Sequence, residues 1–183
     1  MNRDEAWALL CEWTASDALR KHALAVEAAM RFYAAKFNED PDEWGIVGLL
    51  HDFDYEKYPT MEEHPFKGVE QLRSRGVPEH WCEAILAHAP YTGQKAESNM
   101  AKALLASDEL TGLIVATTLV QPTRKLADLK PKSVRKRMKE KAFAAKVNRE
   151  DIIAGAEMLG ISLEEHIENV VNAMRESAEA LGL

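Results

Sequence analysis

The stretch Leu49-Leu50-His51-Asp52-Phe53-Asp54 decides how the rest of this chain is interpreted. Two apolar residues run directly into the adjacent pair His51 and Asp52. An imidazole nitrogen and a carboxylate oxygen are both good ligands for Zn, Fe, Mn or Ni. At the end of an apolar helix, the two side chains would lie on the wall of a cleft, held by the core beneath. A His-Asp pair alone is a weak indication of a metal site, because both residues are common at helix ends.

The composition of the 183 residues fits one globular domain, with 46% hydrophobic and 29% charged residues and no Gly/Ser-rich or Pro-rich linker. We therefore predict a single domain over residues 1–183. Cys11 and Cys82 lie in no C-x-x-C pattern, and we expect two reduced, buried thiols. The first residues are charged where a signal peptide would be apolar. The weakly polar run Gly112 to Val120 is too short for a membrane span, so we expect a cytoplasmic protein with no membrane contact.

Charge is unevenly distributed along the chain. The net charge is −7, yet residues 121–150 contain 11 Lys or Arg against 3 Asp or Glu. An overall acidic protein is a poor general nucleic-acid binder, so we do not expect a nucleic-acid partner. A local basic segment can still contact a phosphate, although the usual meaning of such a run is a solvated helix face. The candidate substrate contacts are Lys21, Arg124, Lys125, Lys132 and Lys136.

The hydrophobic pattern predicts helices nearly throughout. Apolar residues recur every three or four positions between Asp17 and Phe37. Asp40-Pro41-Asp42-Glu43 is a strong helix start, with Asp at the cap and Pro at the first position. No alternating strand pattern of useful length occurs, so the predicted fold class is all-α. Further helices are predicted from His64-Pro65 to Gly76, from Pro78 to His88, and over residues 97–119, 132–143, 148–159 and 162–180.

Six possible metal ligands lie at predicted helix ends or on apolar faces. Asp108 follows the apolar run Ala103 to Ser107, where an unpaired carboxylate would be expensive to bury. It would be compensated by a metal, by a salt bridge to Lys or Arg, or by exposure. A metal held by His and Asp from neighbouring helices is a physically sensible arrangement. The six residues come from five segments and are His22, His51, Asp52, His64, His88 and Asp108.

The order of these residues resembles the HD-domain metal-dependent phosphohydrolases. His22, then the His51-Asp52 pair, then Asp108 follow the family's order, and the resemblance extends from Lys21 to Gly112. His64-Pro65-Phe66-Lys67-Gly68 is similar to the His-Pro-x-x-Gly step of the subgroup with extra histidines. The segment that ends in His88 is similar to the helix that ends in a further ligand.

The resemblance implies a compact HD-type helical bundle over residues 16–120, with the basic and C-terminal helices of residues 121–183 packed on it. It also implies one or two divalent ions, of Fe, Mn, Zn, Ni, Co or Mg. Four ligands would hold the first ion, and His64 and His88 match positions that bind a second ion in other members. Asp52 would bridge the two ions, so the implied catalytic residues are Asp52, His64 and His88.

Two local features depart from many family members. Phe53-Asp54-Tyr55 replaces an Ile/Val-Gly-Lys sequence, and Ala89-Pro90 follows His88 where some cyclic-dinucleotide phosphodiesterases have a second His. These differences disfavour that branch and leave the substrate open. No Walker motif and no Ser/His/Asp or Cys/His arrangement is evident.

The function that the resemblance implies is hydrolysis of a small phosphorylated molecule, for which we expect a nucleotide or dinucleotide. The alternative is a non-catalytic regulatory protein that keeps the fold and the metal. A third hypothesis is an oxygen-using di-iron enzyme. Glu63 and Glu109 are candidates for supporting or proton-transfer groups. Tyr91 either lines the pocket mouth or packs in the core. His80 and His166 lie beside charged residues, so we expect both to be exposed and without a role.

Overall fold

The computed structural model describes all 183 residues and contains ten α-helices and no strand, which confirms the all-α prediction. Two 3₁₀ turns, Pro90–Thr92 and Leu126–Asp128, lie in the connections between helices. No helix combines the length and the apolar character that crossing a bilayer requires. In chain order the helices are α1 (Arg3–Trp13), α2 (Asp17–Phe37), α3 (Pro41–Leu50), α4 (Phe66–Ser74), α5 (Glu79–Ala87), α6 (Asn99–Leu119), α7 (Pro131–Arg137), α8 (Arg149–Met158), α9 (Leu163–Glu176) and α10 (Ala178–Leu181).

The long helices α2 and α6 form the centre of the bundle. Helix α2 packs against α3, α6 and α9, and α6 also packs against α5 and α8. One cluster of 41 buried hydrophobic residues extends from Ala6 of α1 to Leu181 of α10. The C-terminal helices join the same core through residues such as Ile152 and Val170. The helices after residue 120 therefore pack on the bundle that precedes them.

Helix starts follow the capping residues in the sequence. The side chain of Asp40 accepts hydrogen bonds from the backbone N–H groups of Asp42 and Glu43, and Pro41 occupies the first position of α3. Ser98 caps α6, which therefore begins at Asn99, two residues later than predicted.

The predicted basic helix over residues 132–143 is too long, because α7 ends at Arg137. Beyond that residue, the N–H groups of Lys139 and Glu140 bond to carbonyls three residues back instead of four. The guanidinium of Arg149 then donates to the backbone carbonyls that follow, including that of Ala144 at 2.7 Å. The backbone beyond Arg137 therefore forms three-residue turns, which Arg149 holds together, and not a continued α-helix.

Two other expectations need correction at the chain ends. Helix α1 was not predicted, although Asn2 and Glu5 form a complete capping box at its start. The predicted last helix breaks at Ser177 into α9 and α10, because the N–H of Ser177 bonds to the carbonyl of Met174, only three residues back.

The prediction that His166 is exposed is wrong, because its side chain is fully buried. It shares the inner face of α9 with Val170 and Met174, at the four-residue spacing of a helix face. Its Nε2 donates to the carbonyl of Ala106 at 2.8 Å, and its Nδ1 accepts from the hydroxyl of Tyr33 at 2.6 Å. The charged neighbours that suggested exposure lie on the outer face of the same helix.

Candidate metal centre

His51 lies at the C-terminal end of α3, whose last two residues are completely buried. Gly48 lets this end of α3 approach α2, since a Cβ atom there would lie 2.9 Å from Cγ of Met30. The ring Nδ1 of His51 donates to the carbonyl of Gly48 at 2.7 Å, which leaves the lone pair on Nε2. That Nε2 is buried and has no hydrogen-bond partner. An unpaired buried polar atom of this kind indicates a site for a ligand.

The first group of side chains that could hold a metal consists of His22, His51 and Asp108, from α2, the end of α3 and α6. Oδ1 of Asp108 lies 2.9 Å from Nε2 of His22 and 3.5 Å from Nε2 of His51. Three ligand atoms from three helices therefore converge on one point. The helix packing brings together residues that are up to 86 positions apart in the chain.

The second group consists of Asp52, His64 and His88. Oδ1 of Asp52 lies 3.2 Å from Nε2 of His64 and 3.2 Å from Nε2 of His88. His88 follows the last residue of α5, and its Nδ1 donates to the backbone carbonyl of Ile85. The ring is thereby fixed with Nε2 directed at Asp52.

Asp52 joins the two groups through its two carboxylate oxygens. While Oδ1 contacts His64 and His88, Oδ2 lies 3.5 Å from Nε2 of His51 and 3.9 Å from Nε2 of His22. The structure therefore brings all six predicted ligand side chains to one place. A carboxylate between two clusters of His and Asp is the arrangement in which one side chain could contact two ions.

Asp54 is part of the site, although the sequence analysis assigned it no role. Its side chain is buried, with Oδ1 2.8 Å from Nδ1 of His64 and Oδ2 accepting from the N–H of Gly68 at 2.7 Å. The one signal in the sequence was the placement of an acidic residue two positions after Asp52. That spacing alone does not distinguish a buried carboxylate from one in an exposed loop.

The ionisable groups of the site compensate one another in the protein without an ion. Burial by itself would raise the pKa of Asp52, but His51 and its other histidine neighbours hold that pKa well below its usual range. The pKa of Asp108 is lowered against burial in the same way, chiefly by His22. Burial would lower the pKa of His64, yet its two hydrogen-bonded carboxylates, with Asp52 first, raise it to about 9. A divalent cation would replace these protons as the compensating charge.

Four of the six side chains, Asp52, His64, His88 and Asp108, border a cavity of about 530 Å³. Its rim carries the half-exposed rings of Tyr55 and Tyr91, and the Tyr91 hydroxyl donates to the carbonyl of His64 at 2.9 Å. Tyr91 therefore lies at the pocket mouth, the first of its two predicted locations. No Lys or Arg lines the cavity.

One wall of the cavity is acidic and comes partly from α8. Glu109, Asn148 and Asp151 lie there, and the backbone N–H of Asn148 donates to Oε2 of Glu109 at 3.1 Å. Burial, followed by repulsion from Asp108, raises the pKa of Glu109 to about 7. The Glu63 side chain, in contrast, does not line the cavity and accepts a hydrogen bond from Thr60.

The predicted substrate-contacting cations lie elsewhere. Lys21 forms an ion pair with Asp17 at 2.9 Å and lines a separate cavity of about 340 Å³ on the other side of His22. Arg124, Lys125 and Lys132 precede or begin α7, and none lines the cavity beside Asp52. Their contact with a substrate stays a prediction that the geometry does not favour.

The donor set fits a divalent transition metal. Four imidazole nitrogens and two carboxylates are ligands that Zn, Fe, Mn and Ni accept, and the unpaired Nε2 of His51 is directed at the same point. The fixed Nδ1 donors of His51 and His88 orient the rings as the outer hydrogen bonds of metal-bound histidines do.

Comparison with known proteins places this site within one family. The family model described as HD domain matches residues 19–114. Comparisons with curated proteins and with solved structures gave no match. HD domains bind divalent metals, and the matched segment contains all six clustered side chains. Because the match covers more than half of the 183 residues, the chain belongs to the HD domain family.

Proposed function

We propose that this protein is a metal-dependent phosphohydrolase that cleaves a phosphate ester or anhydride of a nucleotide or another small phosphorylated molecule. The observation that carries this proposal is the position of Asp52 between two groups of ligands, with one oxygen 3.2 Å from His64 and the other 3.5 Å from His51. Under this proposal His22, His51 and Asp108 would hold one divalent ion, His64 and His88 would hold a second, and Asp52 would contribute to both groups.

Bound divalent ions supply a water of lowered pKa and stabilise negative charge on phosphate oxygens. The protein's part is to hold the ligands rigidly and to leave Nε2 of the histidines as the nitrogen that would bind an ion. The hydrogen bonds from Nδ1 of His51 and His88 to backbone carbonyls do this by fixing the proton on the outer nitrogen. His51, His64 and His88 are nearly completely buried, so the surrounding core holds their rings in place.

The charge of the cavity supports metal dependence. Its lining contains four carboxylates and no Lys or Arg, so a phosphate would meet repulsion from the protein alone. Divalent ions beside Asp52 and Asp108 would reverse this local charge. The cations that neutralise the substrate would then be metal ions and not the basic segment around Lys125 and Lys132.

The rim of the cavity supports a nucleotide as the substrate. Tyr55 and Tyr91 are 42% and 43% exposed, and both border the opening. Bases stack on aromatic side chains with a gain of about 1–3 kcal/mol each. Glu109 and Asp151, which also line the cavity, offer carboxylate acceptors for amino or hydroxyl groups of a nucleoside.

The test is phosphate release from a panel of nucleotides by purified protein loaded with Mn, Fe, Co or Mg. We expect turnover that chelation abolishes and that Asp52→Ala reduces by about 10³-fold or more, since that variant removes a ligand common to both groups. Asp128→Ala is the matched control, because it removes one exposed carboxylate that does not line the cavity. Circular dichroism checks that both variants remain folded.

Other outcomes would favour the other hypotheses. Tight nucleotide binding without turnover under any metal would contradict hydrolysis and support a regulatory protein. Oxygen consumption by a bound di-iron centre would instead support an oxygen-using enzyme.

A further inference from the structure

Asp54 is the one buried carboxylate of the site that is not itself a candidate ligand. Only 1% of its side-chain surface is exposed. Both of its oxygens are used, one toward Nδ1 of His64 at 2.8 Å and one toward the N–H of Gly68 at 2.7 Å. A carboxylate buried at this depth is expensive, so these two contacts must offset its lost hydration.

The histidines of the site differ in what their outer nitrogens contact. Nδ1 of His51 and Nδ1 of His88 each face a neutral backbone carbonyl on the preceding helical turn. Nδ1 of His22 has only a long contact, 3.5 Å, to the hydroxyl of Thr111. His64 alone has a charged carboxylate behind it. Because a carboxylate holds the Nδ1 proton more strongly, it makes Nε2 of that ring the better metal donor.

Gly68 fits this contact closely. A Cβ atom at that position would lie 2.7 Å from Cγ of Asp54 and 2.9 Å from a ring carbon of Phe53. Only a residue without a side chain therefore lets the start of α4 approach the Asp54 carboxylate. The loop after Asp52 and the segment that carries His64 are joined at this point.

We propose that Asp54 is a positioning residue for the half of the site formed by Asp52, His64 and His88. It fixes the Nδ1–H tautomer and the ring angle of His64, and so sets the affinity of that half for its ion. The half formed by His22, His51 and Asp108 depends on Asp54 much less, because the Asp54 carboxylate bonds to His64 and Gly68 and to none of these three side chains. Asp54 is one of the residues after His51-Asp52 that differ from the commoner family pattern, and the proposal gives it a role. The inference rests on the metal site of the proposed function but not on the reaction.

The experiment is calorimetric titration of metal-free protein with Mn²⁺, combined with elemental analysis after removal of excess ion. We expect two equivalents in the wild type. Asp54→Asn should weaken one equivalent by about 10–100-fold and leave the other unchanged. The amide replaces one of the two accepting oxygens with an NH2 group that can only donate, so Gly68 and His64 no longer each have an acceptor and the His64 ring loses its fixed tautomer.

Two variants separate positioning from a merely structural role. Glu56→Gln is the matched control, because Glu56 lies two residues after Asp54 and forms no hydrogen bond with a histidine. Its Oε2 accepts from the N–H groups of Ala15 and Ser16 instead. This variant should keep both equivalents. Gly68→Ala keeps the Asp54 charge but displaces the carboxylate, and should weaken the same equivalent that Asp54→Asn weakens.

The outcomes are distinct for the inference and for the function. Selective loss of one equivalent in Asp54→Asn and Gly68→Ala, with Glu56→Gln unaffected, supports the inference. Two unchanged equivalents in Asp54→Asn, or equal weakening of both, overturns it and leaves the proposed hydrolase intact. The inference is also overturned if the wild type binds only one ion and Asp54→Asn still binds that ion. A wild type that binds no divalent ion overturns the proposed function itself.

Discussion

Single buried polar side chains fix both the core and the site of this protein. His166 joins α9 to α2 and α6 through its two ring nitrogens. Burial lowers the pKa of His166 to about 4, so the ring is neutral at pH 7 and can donate from one nitrogen while accepting at the other. Its partners, the hydroxyl of Tyr33 and the carbonyl of Ala106, have no exposure that would let water replace it.

His166→Leu should lower the free energy of unfolding by about 2–4 kcal/mol, because it removes the acceptor of the buried Tyr33 hydroxyl and a second hydrogen bond to the Ala106 carbonyl. Urea denaturation of the metal-free protein at pH 7 measures this change. His80→Leu is the control, since His80 is half exposed and contacts only Glu43 at 2.8 Å. Equal midpoints for His166→Leu and the wild type would show that the buried hydrogen bonds contribute nothing net.

The sequence was informative about which side chains cluster and much less about the residues that support them. His22, His51, Asp52 and Asp108 could be predicted because their order along the chain is itself a pattern. Asp54 could not, since its burial depends on contacts with His64 and Gly68, 10 and 14 residues further on. His166 was misjudged for a related reason. The prediction that His166 is exposed relied on its charged neighbours in the sequence, whereas the helix period decides which face is buried.

At the scale of helices, the packing of α8 on α6 determines one wall of the cavity. Gly155 of α8 faces Ala106 so closely that a Cβ atom would lie 2.5 Å from the Ala106 Cα. The same helix begins at its cap Asn148 and carries Asp151 in its first turn. Both of these residues border the cavity, although they lie beyond the matched segment 19–114. The helices that follow the HD domain match therefore complete its pocket.

Gly155→Ala should force α8 away from α6 and lower the free energy of unfolding by about 1–3 kcal/mol. Because Asn148 and Asp151 move with α8, we expect a larger KM with unchanged metal stoichiometry. Gly112→Ala is the matched control on the facing helix, where the nearest atom to a new Cβ would be Cγ2 of Val147 at 3.9 Å. That control should be neutral or stabilise by about 0.5–1 kcal/mol. Thermal unfolding and steady-state kinetics measure both effects.

Helix boundaries were predictable where a side chain caps the helix and not where distant groups end it. Asp40 and Ser162 have local signals, and the structure uses both as caps. The end of α7 has no such signal, since the carbonyls beyond it bond to Arg149, whose position depends on how α8 packs. A prediction based on periodicity therefore extends the helix into residues that form turns in the folded protein.

At the scale of the whole molecule, the charges of the site make stability depend on pH in opposite senses with and without metal. In the metal-free protein the pKa of His64 is raised to about 9, above its unfolded value of about 6.5. The folded state therefore binds more protons than the unfolded state between those two values. Stability from this group is complete below about pH 6.5 and is lost as the pH rises toward 9. Metal binding requires the same ring to be unprotonated, so its contribution grows over the same window.

The melting temperature measured with Mn²⁺ minus that measured with a chelator should therefore increase from about pH 6.5 to about pH 8.5. Within that window, each pH unit should strengthen apparent binding about tenfold for every proton that the ion displaces. Asp52→Ala, which removes the carboxylate shared by the two groups, should abolish the difference at every pH. A difference that stays constant or shrinks with rising pH would mean that the ion does not replace the His64 proton. The hydrogen-bonded histidine would then be a feature of the protein without metal, and Asp52 would stabilise it through charge alone.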